Sequence, residues 1–171
     1  MAKYERLKKN LNYLFLNTSP DAELGSESWS RVGKSTEWTD TMNVKTTTYE
    51  YIEDSGPTEV IENYQPSTSM PLTAYAGDPV YEYIFDLYRK QDVGVNAFTK
   101  AMRVFQSKTG GNSYKAQISD CTVTIDNFNF TTGVITFNIK QGGTPRFGSA
   151  TVSEGIDAHG NRICTPVFTA E

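Results

Sequence analysis

Residues 116–141, AQISDCTVTIDNFNFTTGVITFNIKQ, decide the fold class of this chain. Apolar side chains alternate there with polar ones on both sides of a Thr-Thr-Gly turn at residues 131–133. The alternating apolar residues are Cys121, Val123, Ile125, Ile135, Phe137 and Ile139. A period of two is typical of strands that bury one face. The segment therefore predicts two antiparallel strands joined by a turn.

Strand-type patterns continue on both sides of this hairpin. Residues 98–107 and 147–152 are rich in apolar and β-branched side chains, and Gly142-Gly143-Thr144-Pro145 is expected to break the chain between strands. Short alternating strands with Gly-rich turns predict a mainly β fold. We expect two packed antiparallel sheets in a β-sandwich or barrel.

One helix is expected over about residues 79–91, flanking the sheet. Asp78 supplies an N-cap, Pro79 suits the first helical position, and Gly94 is a stop signal. The apolar stripe of this helix consists of Val80, Tyr83, Ile84, Leu87 and Tyr88. The stripe predicts a helix that lies on a sheet.

Residues 41–53 and 59–65 predict a long hairpin whose turn is Asp54-Ser55-Gly56-Pro57. Alternation leaves both of its faces only half apolar. Such a hairpin is either a solvated flap or an element that meets water on one face and a partner on the other. The sequence allows both interpretations.

Composition excludes several functional classes. The chain has 171 residues, one histidine and two cysteines. A zinc site needs about four ligands, more than one histidine and two cysteines supply. His159 lies in a turn-like Asp-Ala-His-Gly-Asn segment, and the alternation around Cys121 predicts a core residue. Gly33-Lys34-Ser35 lacks the earlier glycine of a phosphate-binding loop. We therefore expect a non-enzymatic protein without cofactor or metal.

Because no signal-peptide core or apolar run of about 18 residues occurs, we also expect a soluble, unexported, single-domain chain.

Charge is unevenly distributed around the net value of −4. Residues 1–20 carry +3, residues 21–86 carry −10, and residues 87–171 carry +3. Either these charges intermix in the folded chain, or opposite potentials lie on opposite faces and favour head-to-tail self-association. The acidic balance argues against tight nucleic-acid binding.

A series of motifs follows in order over about residues 1–92. They are a basic arm, Trp29-x-Arg31-Val32-Gly33-Lys34, the Thr/Tyr-rich hairpin, Tyr64-Gln65-Pro66-Ser67, and Tyr75-x-Gly77-Asp78-Pro79-Val80-Tyr81-Glu82-Tyr83-Ile84-x-x-Leu87. In this order they resemble the major tail tube proteins of long-tailed bacteriophages, especially those of Gram-positive hosts.

The resemblance implies a tail-tube fold of two packed sheets with a flanking helix. It implies hexameric rings that stack head to tail and form a lumen through which DNA is ejected. The chain would then be one tail-tube domain over residues 1–171, with an N-terminal arm (about 1–28) and a C-terminal extension (about 153–171). Its partners would be its own copies, a tape-measure protein and a tail-terminator or baseplate protein. It would belong to the virion tail and assemble in the host bacterial cytoplasm, with no membrane.

Two groups of site residues follow from these expectations. Carboxylates in the lumen would repel DNA phosphates and so keep DNA from sticking. The lumen-facing candidates are Glu50, Glu53, Glu59 and Glu62. Head-to-tail contacts between rings would use the basic arm and the hairpin tip. The ring-stacking candidates are Lys3, Arg6, Lys8, Lys9, Asp54, Ser55, Gly56 and Pro57.

Two other functional classes fit the same pattern. A monomeric β-sandwich module could bind carbohydrate or decorate a capsid, with its Tyr and Trp side chains as a stacking platform. A small ligand-binding barrel enzyme would need a pocket with a perturbed carboxylate.

Overall fold

The computed structural model of the chain describes residues 12–22, 25–53, 55–110 and 112–171, with residues 106–110 described as backbone only. In these residues one α-helix and ten strands follow one another. They are β1 Tyr13–Asn17, β2 Trp29–Arg31, β3 Thr39–Thr41, β4 Val44–Tyr49, β5 Thr58–Tyr64, β6 Ser67–Thr73, α1 Pro79–Lys90, β7 Phe98–Gly110, β8 Ser113–Asn129, β9 Val134–Ile156 and β10 Arg162–Ala170. The predicted fold class, mainly β with two antiparallel sheets and one helix, is confirmed.

Eight of the strands form one antiparallel sheet in the order β2-β1-β7-β8-β9-β6-β3, with β10 also on β9. β8 lies along one edge of β9 over nearly its whole length. The other edge of β9 is shared, because residues 134–140 pair with β6 and residues 148–156 pair with β10. The sheet therefore forks at β9 into two wings.

β9 runs unbroken through Gly142-Gly143-Thr144-Pro145, where the sequence predicted a break. Gly143 has a φ of 61°, which glycine adopts without steric cost. The pairing with β8 jumps here from Gly142 opposite Asp120 to Arg146 opposite Ile118. The extra residues form a bulge, which bends a strand without ending it. The prediction was wrong because bulges and turns use the same residue types.

A first core lies between the helix and the wing that contains β6. Val80, Ile84 and Leu87 are the buried residues of α1, and they belong to this core together with Val32, which directly follows β2, and with side chains from five strands. The strand residues are Leu14, Leu16, Met70, Leu72, Ala101, Cys121, Val123, Ile135, Phe137 and Ile139. The predicted hairpin of residues 116–141 thus supplies its inward apolar side chains to the face that the helix covers.

A second core lies on the opposite face, in the other wing. Its buried residues are Tyr13, Phe15, Met102, Val104, Ala116, Ile118, Ala150 and Cys164. This wing curls until β10 lies beside β2, where Arg31 Nη1 donates to Cys164 Sγ at 3.3 Å. The curled wing therefore encloses its core much as a small barrel does.

β1 contributes to both cores, because Leu14 and Leu16 point into the first and Tyr13 and Phe15 into the second. The sequence had assigned these residues to an arm extending to about residue 28. β1 lies within this predicted arm and pairs with β2 and β7. A strand covered on both faces shows no alternation to identify it. Residues 153–171, assigned to an extension, instead complete β9 and form β10.

The predicted helix over about residues 79–91 is confirmed at both ends, and only the expected stop residue differs. Asp78 caps α1 by accepting from the backbone N–H groups of Val80 at 2.9 Å and Tyr81 at 3.2 Å. The left-handed residue at the C-terminus is Gln91 (φ 54°, ψ 43°), whereas Gly94 begins a turn of 3-10 helix. None of the helices in the described residues has the length and apolar character of a membrane span.

Asp78→Ala is expected to lower the free energy of unfolding by about 1 kcal/mol, because two N–H groups of α1 lose their acceptor. Urea denaturation followed by circular dichroism measures this change. Asp21→Ala is the control, since Asp21 is an exposed aspartate outside any helix. Equal losses in the two variants would contradict the capping role of Asp78.

Candidate assembly surfaces

β3 to β6 form one continuous two-stranded ribbon. β3 pairs with β6 inside the eight-stranded sheet, and β4 pairs with β5 beyond it as a separate two-stranded sheet. At the junction Asn43, with a φ of 45°, donates from Nδ2 to the Gln65 carbonyl and to Ser67 Oγ, both at 2.9 Å. The ribbon turns away from the sheet at this point. We call β4 and β5 with their connecting loop the projecting hairpin.

The projecting hairpin is exposed on both faces. All residues of β5 and all of β4 except Thr47 are exposed. Val60 keeps 44% and Ile61 52% of their surface accessible. An isolated two-stranded hairpin is at best marginally stable in water, and its two outer edges offer unpaired backbone groups to another chain. The projecting hairpin is therefore an element that a partner would stabilise by covering it.

The predicted carboxylates of β5 point to opposite sides of the hairpin. Directly opposed residues share a face, and Glu59 opposes Thr48. Glu62 lies on the other face, because the hydroxyl of Thr47, the neighbour of Thr48, donates to its carboxylate. A surface formed by one face of the hairpin thus contains only one of these two glutamates.

The remaining predicted residues of this region lie at the end of the hairpin. Glu50 and Glu53 are exposed in the loop after β4, and Ser55, Gly56 and Pro57 are exposed just before β5. The structure therefore brings predicted lumen and predicted stacking residues together at one tip. The predicted stacking residues Lys3, Arg6, Lys8, Lys9 and Asp54 lie outside the described residues.

A second surface, which the sequence did not reveal, crosses β3, β6, β9 and β8 on the side opposite the helix. Two rows of directly opposed side chains form it: Thr39, Ser69, Asn138 and Thr124 in one row, and Thr41, Ser67, Lys140 and Thr122 in the other. None of them is buried, and Lys140 is the only one that carries a charge. We call this surface the hydroxyl face. Each strand showed a polar alternate side in sequence, but the order in which the strands join was not readable.

A third surface is a cluster of five aromatic rings beside the helix, formed by Tyr81, Phe85, Tyr88, Phe128 and Phe130. Phe128 is central, with ring centroids 4.4 Å from Phe130 and 5.8 Å from Tyr88. A bulge between Ile125 and Asn127 shifts the alternation of β8, so Phe128 turns toward the helix. Phe130 is 71% exposed. This bulge also explains why strict alternation from Cys121 onward misplaces Phe128.

The Cys121 thiol is buried in the first core. Burial raises the pKa of Cys121 to about 12, so this thiol stays protonated in the core, as expected for a packing residue. Among the residues that the structure describes, no group of three or more His, Cys, Asp or Glu side chains could hold a metal ion.

Several solved structures contain a chain with this fold. A chain in the tail of the empty gene transfer agent (GTA) particle, determined with helical refinement and C6 symmetry, superposes with a TM-score of 0.55 and 10% sequence identity, covering 83% of this chain and 98% of the other. A chain in the virion of the native GTA particle has a TM-score of 0.54 and 8% identity, with the same coverage. The protein shares its fold with a component of this tail.

The likeness concerns the fold, since identities of 8–10% carry nothing finer. It confirms the fold class that the motif resemblance implied. A chain of the anti-feeding prophage (AFP) baseplate, in a 6-fold symmetrised cryo-EM structure, has a TM-score of 0.42 and 8% identity over 86% of this chain and 97% of the other. That value is too low to support an argument. No family model and no curated protein sequence matches the chain.

Proposed function

We propose that this protein is a structural subunit of a phage tail tube, or of a tail-like particle related to one. Copies assemble into hexameric rings that stack head to tail around a conduit for DNA ejection. The observation that carries the proposal is the projecting hairpin, exposed on both faces and open at both edges, on a fold shared with a GTA tail chain. The C6 symmetry of that tail supports a ring of six. The motif resemblance to tail tube proteins, in particular to those of phages of Gram-positive hosts, supports it independently.

The hydroxyl face suits the wall of the conduit. Apart from Lys140, its side chains are short, polar and uncharged, so they can stay hydrated and offer DNA phosphates few tight contacts. The helix covers the opposite face of the same strands. We place the hydroxyl face toward the DNA and the helix toward the outside of the tube.

The hairpin glutamates belong to the proposal in a narrower form. Because Glu59 and Glu62 lie on opposite faces of the projecting hairpin, only one of them can line the conduit. Glu50 and Glu53 lie in the loop and are not restricted in this way. The tip residues 55–57, together with Asp54 and the basic residues Lys3, Arg6, Lys8 and Lys9, are proposed for contacts between rings.

Other parts of the proposal follow from its place in a tail. The subunit would act without enzymatic activity, would assemble in the host cytoplasm and would be found in the virion tail. A tape-measure protein and a tail-terminator or baseplate protein would be its further partners.

Electron microscopy of the purified, concentrated protein tests the proposal. Rings or tubes with sixfold symmetry are expected, because the apolar side chains of the projecting hairpin are covered only by association. Sedimentation of the same samples should show association that increases with concentration. A protein that stays monomeric at every concentration and binds glycans on an array would overturn the proposal in favour of a carbohydrate-binding module.

A further inference from the structure

Arg103 is a buried cation whose side chain crosses the first core. It lies on β7 and is 2% exposed. Its Nη2 donates to Thr68 Oγ1 on β6 at 2.6 Å and lies 3.5 Å from Asp40 Oδ1 on β3. The Gln141 amide, with its oxygen turned toward the guanidinium, accepts from Nη2 at 2.8 Å. Three strands separate β7 from β3 in the sheet, so this contact bridges the concave face.

The Asp40 side chain ties β3 to residues on the helix-covered side of the sheet. Its carboxylate accepts from the Thr68 hydroxyl, from Trp38 Nε1 at 3.2 Å and from Arg103. The neighbouring residues Thr39 and Thr41 point instead to the hydroxyl face. β3 is only three residues long and forms the edge of the sheet. β3 is held by its pairing with β6, by the packing of the preceding Trp38 against the first core, and by this carboxylate.

The energetics of such a pair favour a role in geometry. Removing a guanidinium from water is costly, and Asp40, whose side chain keeps 33% of its surface accessible, offsets only part of that cost. What the pair supplies is direction, because a planar guanidinium that donates to two strands fixes their relative position. In this protein the strands it fixes are the two legs of the ribbon that carries the projecting hairpin.

We propose that Arg103 is a positioning residue for assembly. It holds β3, the edge leg of the ribbon, and so sets the direction in which the projecting hairpin leaves the sheet. A hairpin at the wrong angle would not meet the neighbouring subunit. The consequence for assembly rests on the proposed function, whereas the anchoring of β3 does not.

Hydrogen exchange in the unassembled chain tests the anchor directly. In Arg103→Met the backbone amides of residues 39–41 are expected to exchange about tenfold faster or more, which is the scale of one lost charge-assisted hydrogen bond. The unfolding midpoint of the whole chain should change little. If Arg103→Met does not fold, Arg103→Met combined with Asp40→Leu removes both charges and keeps the measurement possible.

Arg162→Met is the matched control, because Arg162 pairs with Glu154 at an exposed site in the other wing. It should leave exchange in β3 unchanged. Unchanged exchange of residues 39–41 in the Arg103 variants would overturn the anchor, whatever the state of assembly.

Tube formation by the wild-type chain and by the Arg103 variants distinguishes a failure of this inference from a failure of the proposed function. If the wild-type chain forms tubes, the Arg103 variants are expected to form none, or only short and irregular ones. Regular tubes from a variant with a loosened β3 would overturn the positioning role. Failure of the wild-type chain itself to assemble would instead overturn the proposed function and leave the exchange result standing.

Discussion

Val60→Lys and Ile61→Lys are each expected to abolish tube assembly while the subunit stays folded. The two side chains lie on opposite faces of the projecting hairpin, since Val60 opposes Thr47 and Ile61 opposes Thr46. If neighbouring subunits cover both faces, either lysine places an unpaired ammonium group in an interface. An uncompensated buried charge costs about 3 kcal/mol or more. That energy raises the concentration needed for assembly by about 100-fold.

Electron microscopy and sedimentation at the wild-type assembly concentration measure this effect. Val93→Lys is the control, because Val93 is an apolar residue that is 78% exposed outside the hairpin. All three variants should melt near the wild-type temperature. Assembly that fails in only one hairpin variant would mean that one face is covered, and normal tubes in both would contradict the role of the hairpin.

Gly148→Ala is expected to cause the largest loss of stability in the second wing. A Cβ at this position would collide with the Thr169 carbonyl oxygen and would lie 2.9 Å from Phe168 Cζ and 3.0 Å from Ala170 Cα. Two of these contacts are with backbone, so β10 must move as a whole. Overpacking of this kind costs about 3 kcal/mol, and losing β10 from the second core costs more.

Gly155→Ala is the control on the same pair of strands. Its Cβ would meet only the Ile163 side chain, at 3.5 Å from Cγ1 and 3.8 Å from Cδ1, which are ordinary van der Waals contacts. Urea unfolding of the two variants should therefore differ by about 2 kcal/mol or more, with Gly155→Ala close to wild type. Equal stabilities would show that β10 adjusts without cost and does not close the second core.

The sequence predicted those parts of the fold that depend on local chemistry. The start of the helix was readable because Asp78 and Pro79 serve it directly. The strands of residues 116–141 were readable because one of their faces is buried and the other is wet. The two-faced polarity of the hairpin agrees with the exposure of both its faces, but it left open whether a partner covers one of them.

The features that were missed depend on how distant strands meet. The bulge near Asp126 changes the facing of the side chains that follow it. The bulge near Gly143 adds two residues and keeps the alternation, but it bends the strand, and the residues of both bulges resemble those of turns. β1 has no alternation because both of its sides are buried. Nothing around Arg103 distinguishes a cation that crosses a core from one in solvent, since its partners Asp40 and Thr68 are remote in sequence. The candidate lumen and stacking residues were reached through a family resemblance, and they stay proposals.

The curled wing has a consequence for how the protein is made. The Tyr13 hydroxyl donates to Glu154 Oε1 at 3.2 Å across 141 positions of the chain, and Cys164 meets Arg31 in the same core. Contacts of such long range are slow to form, because the intervening chain must first be brought together. A nascent chain on the ribosome cannot seal this wing until residues 162–170 have been synthesised. Under the proposed assembly, an unfinished chain would lack the closed second core and would not be expected to join a tube.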